Sequence, residues 1–167
     1  GENQNLKILT FCDPNISNYT LISDKSRLQQ ILLNLVSNAI KFTQTGYIQI
    51  CAYLKGIENE VLCISVEDTG IGLKTDDLNK IIHMEDQIIS INDNFGCNKM
   101  GTGLGISIVK STIKKLNYIL NIESTYEKGS KFEIIINDIK KDKIDDEQEN
   151  PIKNSNKFTN KKDSSIK

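Results

Sequence analysis

The chain has 167 residues, 38% of them hydrophobic and 26% charged, a composition that suits one ordinary globular domain with a modest core. Its 21 Lys and Arg against 22 Asp and Glu give a formal net charge of -1, without the basic excess that a nucleic-acid partner requires. No apolar run approaches the roughly 20 residues of a membrane span, and residues 1–20 lack a signal-peptide pattern, so this segment is expected to be soluble and cytoplasmic even if a parent protein is membrane-anchored.

In chain order, residues 5–11 alternate Leu6, Ile8 and Thr10, the pattern of an edge strand that Asp13-Pro14-Asn15 then breaks. Asp24 is a suitable N-cap for a long helix from Lys25 to about Phe42, with Leu28, Ile31, Leu32, Leu35, Ala39 and Ile40 on its apolar face. Residues 47–54 and 61–67 alternate on either side of a Gly56-containing turn and predict an antiparallel hairpin that delivers Asp68 at its end. Periodicity fades between Glu85 and Met100, giving a long loop of the kind that serves as a lid. A second helix is expected from about Leu104 to Leu116, with Ile106, Ile108, Val109, Ile113 and Leu116 apolar, and a last hairpin over 118–124 and 131–137 turns near Lys128-Gly129. The pattern mixes helices with antiparallel strands and suggests one sheet backed by helices on one face, over residues 1–137. Residues 138–167 are rich in Lys, Asp, Glu, Asn and Ser and predict a disordered tail or linker. Cys12, Cys51, Cys63 and Cys97 form no C-x-x-C pair and the single histidine is His83, so reduced thiols and no metal cluster are expected.

Three polar segments carry the chemistry. Asn34, Asn38 and Lys41 recur four and three residues apart and share one stripe of the first helix. Such a stripe is also the ordinary outer face of an amphipathic helix. Amide oxygens suit Mg2+, which needs few protein ligands when phosphates supply others, and a lysine one turn away can meet a phosphate. Asp68, at a strand end before Gly70 and Gly72, can accept a hydrogen bond from the exocyclic amine of adenine, or can simply end its strand in a turn. The two glycines permit a tight bend close to a flat base. Gly101, Gly103 and Gly105 lead directly into the second helix, whose amides and positive end suit phosphate. Their spacing is neither the dinucleotide fingerprint nor a Walker loop.

In their order and flanks, Arg27-Leu-x-Gln-Ile-Leu-x-Asn34-Leu-x-x-Asn38-Ala-x-Lys41-Phe42-Thr43, Asp68-Thr-Gly70-Ile-Gly72 and Gly101-Thr102-Gly103-Leu104-Gly105-Ile-Ser-Ile-Val-Lys110 resemble the N, G1 and G2 boxes of the histidine-kinase catalytic domain, a branch of the gyrase, heat-shock chaperone, histidine kinase and mismatch-repair ATPase superfamily. The resemblance covers roughly residues 5–137, including the ending Glu123-Ser-x-x-x-x-Gly129-Ser-x-Phe132. It implies a Bergerat-type α/β (α+β) fold, a two-layer sandwich of a mixed, largely antiparallel sheet with helices packed on one face, that binds Mg2+ and ATP and donates the γ-phosphoryl group to a histidine of a separate dimerisation and phosphotransfer domain, in relay with a receiver domain or response regulator. It makes Asn38 the Mg2+ ligand with Asn34 beside it, sets Lys41 on the phosphates, Phe42 near the adenine and Asp68 on its amine, and has Gly70 and Gly72 shape the pocket. Gly101, Thr102, Gly103, Leu104 and Gly105 then close a lid, about 85–100, over the phosphates. Relatives that hydrolyse ATP carry a water-activating glutamate where this chain has Asn34, and a transferring enzyme gains by lacking that base. The family's Phe-x-x-Phe box corresponds here to Ile82-His83-Met84-Glu85, a departure that motivates a second reading as an ATP-binding pseudokinase module. His83 resembles no phosphoacceptor motif.

Overall fold

The structure, a computed structural model, describes residues 5–56, 60–83 and 104–142. Strand β1 (Leu6–Cys12) is followed by a one-turn 3-10 helix (Pro14–Asn18), β2 (Tyr19–Leu21) and α1 (Lys25–Phe42). Then come β3 (Gly46–Lys55), β4 (Val61–Asp68), α2 (Thr75–His83), α3 (Leu104–Lys115), β5 (Ile119–Thr125), β6 (Gly129–Ile136) and β7 (Ile139–Lys141). Five strands form one sheet in the order β1-β3-β4-β6-β5, with β1 parallel to β3 and every other pairing antiparallel. This is the mixed, largely antiparallel sheet that the resemblance implies, with β1 at its edge as its alternation predicts.

Alternation sorts the sheet into two faces. Ile48, Leu62, Val66, Phe132, Ile134 and Ile136 point inward and are buried beneath Ile31, Leu35 and Ala39 of α1 and Val109 and Ile113 of α3. Burying a side chain of this size contributes roughly 1.5–3 kcal/mol, so this layer holds the fold together. The long helix forms as expected: Asp24 accepts from Arg27 N at 3.1 Å as N-cap. Its apolar face is turned slightly from expectation, because Val36 packs on the core whereas Ile40 is 48% exposed.

Two differences concern the chain beyond the motifs. The sequence reading assigns no element to residues 75–83, yet α2 forms there with Ile81 buried. The expected tail begins at Asp138, but β7 pairs antiparallel with β2 and carries the paired chain to Lys141. Two three-residue strands are too short for periodicity to reveal. Residues 143–167 and the expected loop over 85–100 lie outside the described residues. Among the described residues, no helix is long and apolar enough to cross a membrane, and Cys12, Cys51 and Cys63 are free thiols.

The outer face holds an unexpected polar network. Glu133, buried on β6, accepts from the Tyr53 hydroxyl and from Lys55 Nζ at 3.0 Å on each carboxylate oxygen. Burial raises the Glu133 pKa, but the bonds from Tyr53 and Lys55 outweigh it and leave the carboxyl below its usual range.

Candidate functional site

The C-terminal end of β4 meets the C-terminal end of α1. Asp68 ends the strand, and its register partners Ile48 on β3 and Ser130 on β6 hold it in the middle of the sheet rather than at an edge. Its carboxylate is buried; Oδ1 accepts from Gly70 N at 2.8 Å and lies 3.4 Å from the Thr43 hydroxyl. Burial pushes its pKa up, while the bonds from Gly70 and Thr43 pull against that shift. The chain thus holds a carboxylate where desolvation makes any partner worth more, and orients it with the Gly70 amide, the Thr43 hydroxyl and the Ser130 backbone.

Gly70 lies against α1. Ile71 N donates to Phe42 O at 3.1 Å, and a Cβ at Gly70 would stand 2.3 Å from that oxygen and 2.8 Å from Asp68 Oδ1. A side chain does not fit there. Gly72 has φ +62°, and a Cβ on it would stand 2.1 Å from Thr125 O. The sequence reading gives both glycines to a ligand's approach; the structure gives each a reason within the protein. The β5–β6 turn closes the other side, with Glu127 N donating to Ile71 O at 2.7 Å and Leu73 N to Ser124 Oγ at 2.8 Å.

The second half of the site lies between α1 and α3. Asn34 and Asn38 are half-buried, on the flank of α1 that faces α3 rather than on its outer face. Asn34 Nδ2 donates to Gln30 O at 2.9 Å, so the amide hydrogen is used within the helix. A Cβ at Gly105, in the first turn of α3, would stand 3.4 Å from Asn38 Nδ2 and 3.5 Å from both Asn34 Oδ1 and Asn38 Oδ1. Both side-chain amides therefore lie beside the start of α3, and their oxygens are of the hard type that suits Mg2+. Lys41 is exposed, with its ammonium 5.4 Å from the centre of the Phe42 ring, and Phe42 is half-buried. Gly101, Thr102 and Gly103 lie outside the described residues, and Leu104 is described only as the first residue of α3.

Thr43, Ser124 and Ser130 join the site without having been assigned to it from sequence. Thr43 follows Phe42 directly and Ser124 and Ser130 stand in the Glu-Ser/Gly-Ser ending, so their signal was present as motif members whose partners only the fold supplies.

Comparison with known proteins bears on the family and the fold. The family described as histidine kinase-, DNA gyrase B- and HSP90-like ATPase matches residues 23–139. The aerobic respiration control sensor protein ArcB of Escherichia coli is 37% identical over 118 residues, which cover 71% of this chain and 15% of ArcB. The structure of full-length ShkA in complex with AMPPNP superposes with a TM-score of 0.59 and 25% identity, covering 80% of this chain and 26% of that one. The catalytic domain of the histidine kinase ThkA superposes with a TM-score of 0.58 and 26% identity, covering 80% of both chains.

Proposed function

As the chain belongs to the histidine kinase-, DNA gyrase B- and HSP90-like ATPase family, as a catalytic ATP-binding domain of the sensor-kinase type, we propose that it binds Mg-ATP and donates the γ-phosphoryl group to a histidine on a separate dimerisation domain of a sensor or hybrid kinase. The observation that carries this reading is Asp68: a buried carboxylate, turned by Gly70 and Thr43, at the end of a central strand. Asp68 accepts the adenine amine and so selects adenine over guanine, whose carbonyl would face the carboxylate. Phe42 packs near the base. Asn38, with Asn34 beside it, holds Mg2+ through an amide oxygen, and Lys41 meets the phosphates together with residues 101–105.

Bound there, Mg2+ would neutralise phosphate charge. This chain's own contribution is positioning. The imidazole nitrogen of the acceptor forms a bond to the γ-phosphorus as the bond from that phosphorus to the bridging oxygen breaks, and ADP leaves with the electron pair. Asn34 supplies no base to activate water, so transfer is favoured over hydrolysis. A receiver domain or response regulator is the further partner.

One observation favours a second reading, a nucleotide-binding module without transfer: Ile82, in place of a phenylalanine, is 48% exposed beside exposed His83. Incubating the chain with labelled ATP and the dimerisation domain of its parent separates the two. Acid-labile phosphohistidine on that domain is expected; ATP binding with no transferred label would favour the binding-only module.

A further inference from the structure

Lys110 lies on α3, one turn and a half after Gly105, and no role in the nucleotide site has been given to it. Its ammonium donates to Ile81 O at 2.7 Å and to Ile82 O at 3.0 Å. Those carbonyls belong to the last turn of α2 (Thr75–His83), where the negative end of the helix dipole favours a cation. A side chain of one helix thus caps another. Partial burial lowers the Lys110 pKa through loss of hydration, and the two carbonyls are polar partners for its charge.

The two helices that Lys110 joins belong to opposite ends of the site. α2 follows the Gly70–Leu73 turn that holds Asp68, and its nine residues span roughly 13 Å. α3 begins with Gly105 beside the Asn34 and Asn38 amides, and is fixed to the core by fully buried Val109 and by Ile113. α2 therefore forms a strut from the base end of the site to the helix at its phosphate end. Ile81 buries one side of the strut, and Lys110 ties down its far end.

We propose that Lys110 is a positioning residue for nucleotide binding, which fixes the distance between the Asp68 end and the Asn34–Asn38 end of the site by capping α2 from α3. The inference rests on the nucleotide reading above. A ligand that touches both ends binds only while the strut is docked, and its apparent affinity falls with the docked fraction. A ligand that touches only the Asp68 end is indifferent to the tie.

The test is calorimetry on the whole chain and its Lys110→Met and Lys110→Arg variants, with Mg-ATP and with adenosine. Losing a charge-assisted bond should undock enough of α2 to weaken ATP about three- to tenfold in the Met variant, with adenosine unchanged. Lys110→Arg should restore most of the ATP affinity, because a guanidinium can also donate to two carbonyls. Faster amide exchange at Lys80–His83 in the Met variant reports the undocking itself. Equal losses for ATP and adenosine, or unchanged ATP affinity, would overturn the proposal. If the Met variant does not fold, Lys110→Gln gives the same comparison. A wild-type chain that binds neither ligand overturns the nucleotide reading, a failure distinct from wild-type binding that the variants leave untouched.

Discussion

Asp68 is asked to be buried and charged at once, and the residues around it resolve the conflict. Burial favours its neutral form and raises the pKa, whereas Gly70 N–H and the Thr43 hydroxyl favour the carboxylate. Without ligand, a folded-state pKa above the unfolded one contributes stability that is fully present below the unfolded value and is lost as pH rises through the folded value. In the proposed reading ligand binding has the opposite sign, since there the ionised form accepts from the adenine amine. ATP affinity should therefore fall as pH drops through the raised pKa, at a higher pH than an ordinary carboxylate would show. Asp68→Asn should weaken ATP by about 10- to 150-fold, the equivalent of one hydrogen bond to a charged group, and should flatten that pH dependence. Calorimetric titrations across the acid range check both; an unaltered affinity or an unaltered pH profile would remove Asp68 from the base-recognition role. Glu133 shows the contrasting case, a carboxylate whose Tyr53 and Lys55 partners win and which lies on the face away from the site.

At the scale of elements, the Gly70–Leu73 turn is the joint on which the site depends. It is bonded to the end of α1 through Phe42 O and to the β5–β6 turn through Glu127 N and Ser124 Oγ. Gly70→Ala would drive a Cβ into Phe42 O, an overpacking cost of about 1–3 kcal/mol. Reduced stability in urea together with weaker ATP binding is expected, because the same Cβ displaces Asp68 Oδ1; an unchanged unfolding midpoint would mean that the turn yields freely. Long elements were legible in the sequence: α1 shows its cap and apolar period over 18 residues, and β3, β4 and β6 show alternation. β2, β7 and α2 were not, for a physical reason. The first two are three-residue strands defined by a partner more than a hundred residues away, and α2 buries only Ile81. The candidate site was legible where one segment carries it, as with Asp68 and the Asn34–Asn38 pair. It was not legible where segments meet: Thr43 beside Asp68, Ser124 beneath Leu73, and the half-burial of a stripe that spacing alone places on an outer face.

For the whole molecule, the sheet and helices together place the two groups of residues that the proposed function assigns to one nucleotide. The end of β4 and the β5–β6 turn fix Asp68, while the packing of α3 on α1 brings Gly105 to Asn34 and Asn38. The chain spans 15% of the length of ArcB, so signal input and phosphoacceptor belong to the proposal for a parent protein. The proposed reading asks this chain to hold a magnesium nucleotide and to prefer adenine. Titration of the isolated chain with ATP and GTP, each with and without Mg2+, tests that claim most directly. The account predicts heat of binding with ATP that is strengthened by Mg2+, and GTP weaker by at least tenfold, the loss expected when a buried acceptor faces a carbonyl in place of an amine. Equal affinity for the two nucleotides, or binding indifferent to Mg2+, would contradict it.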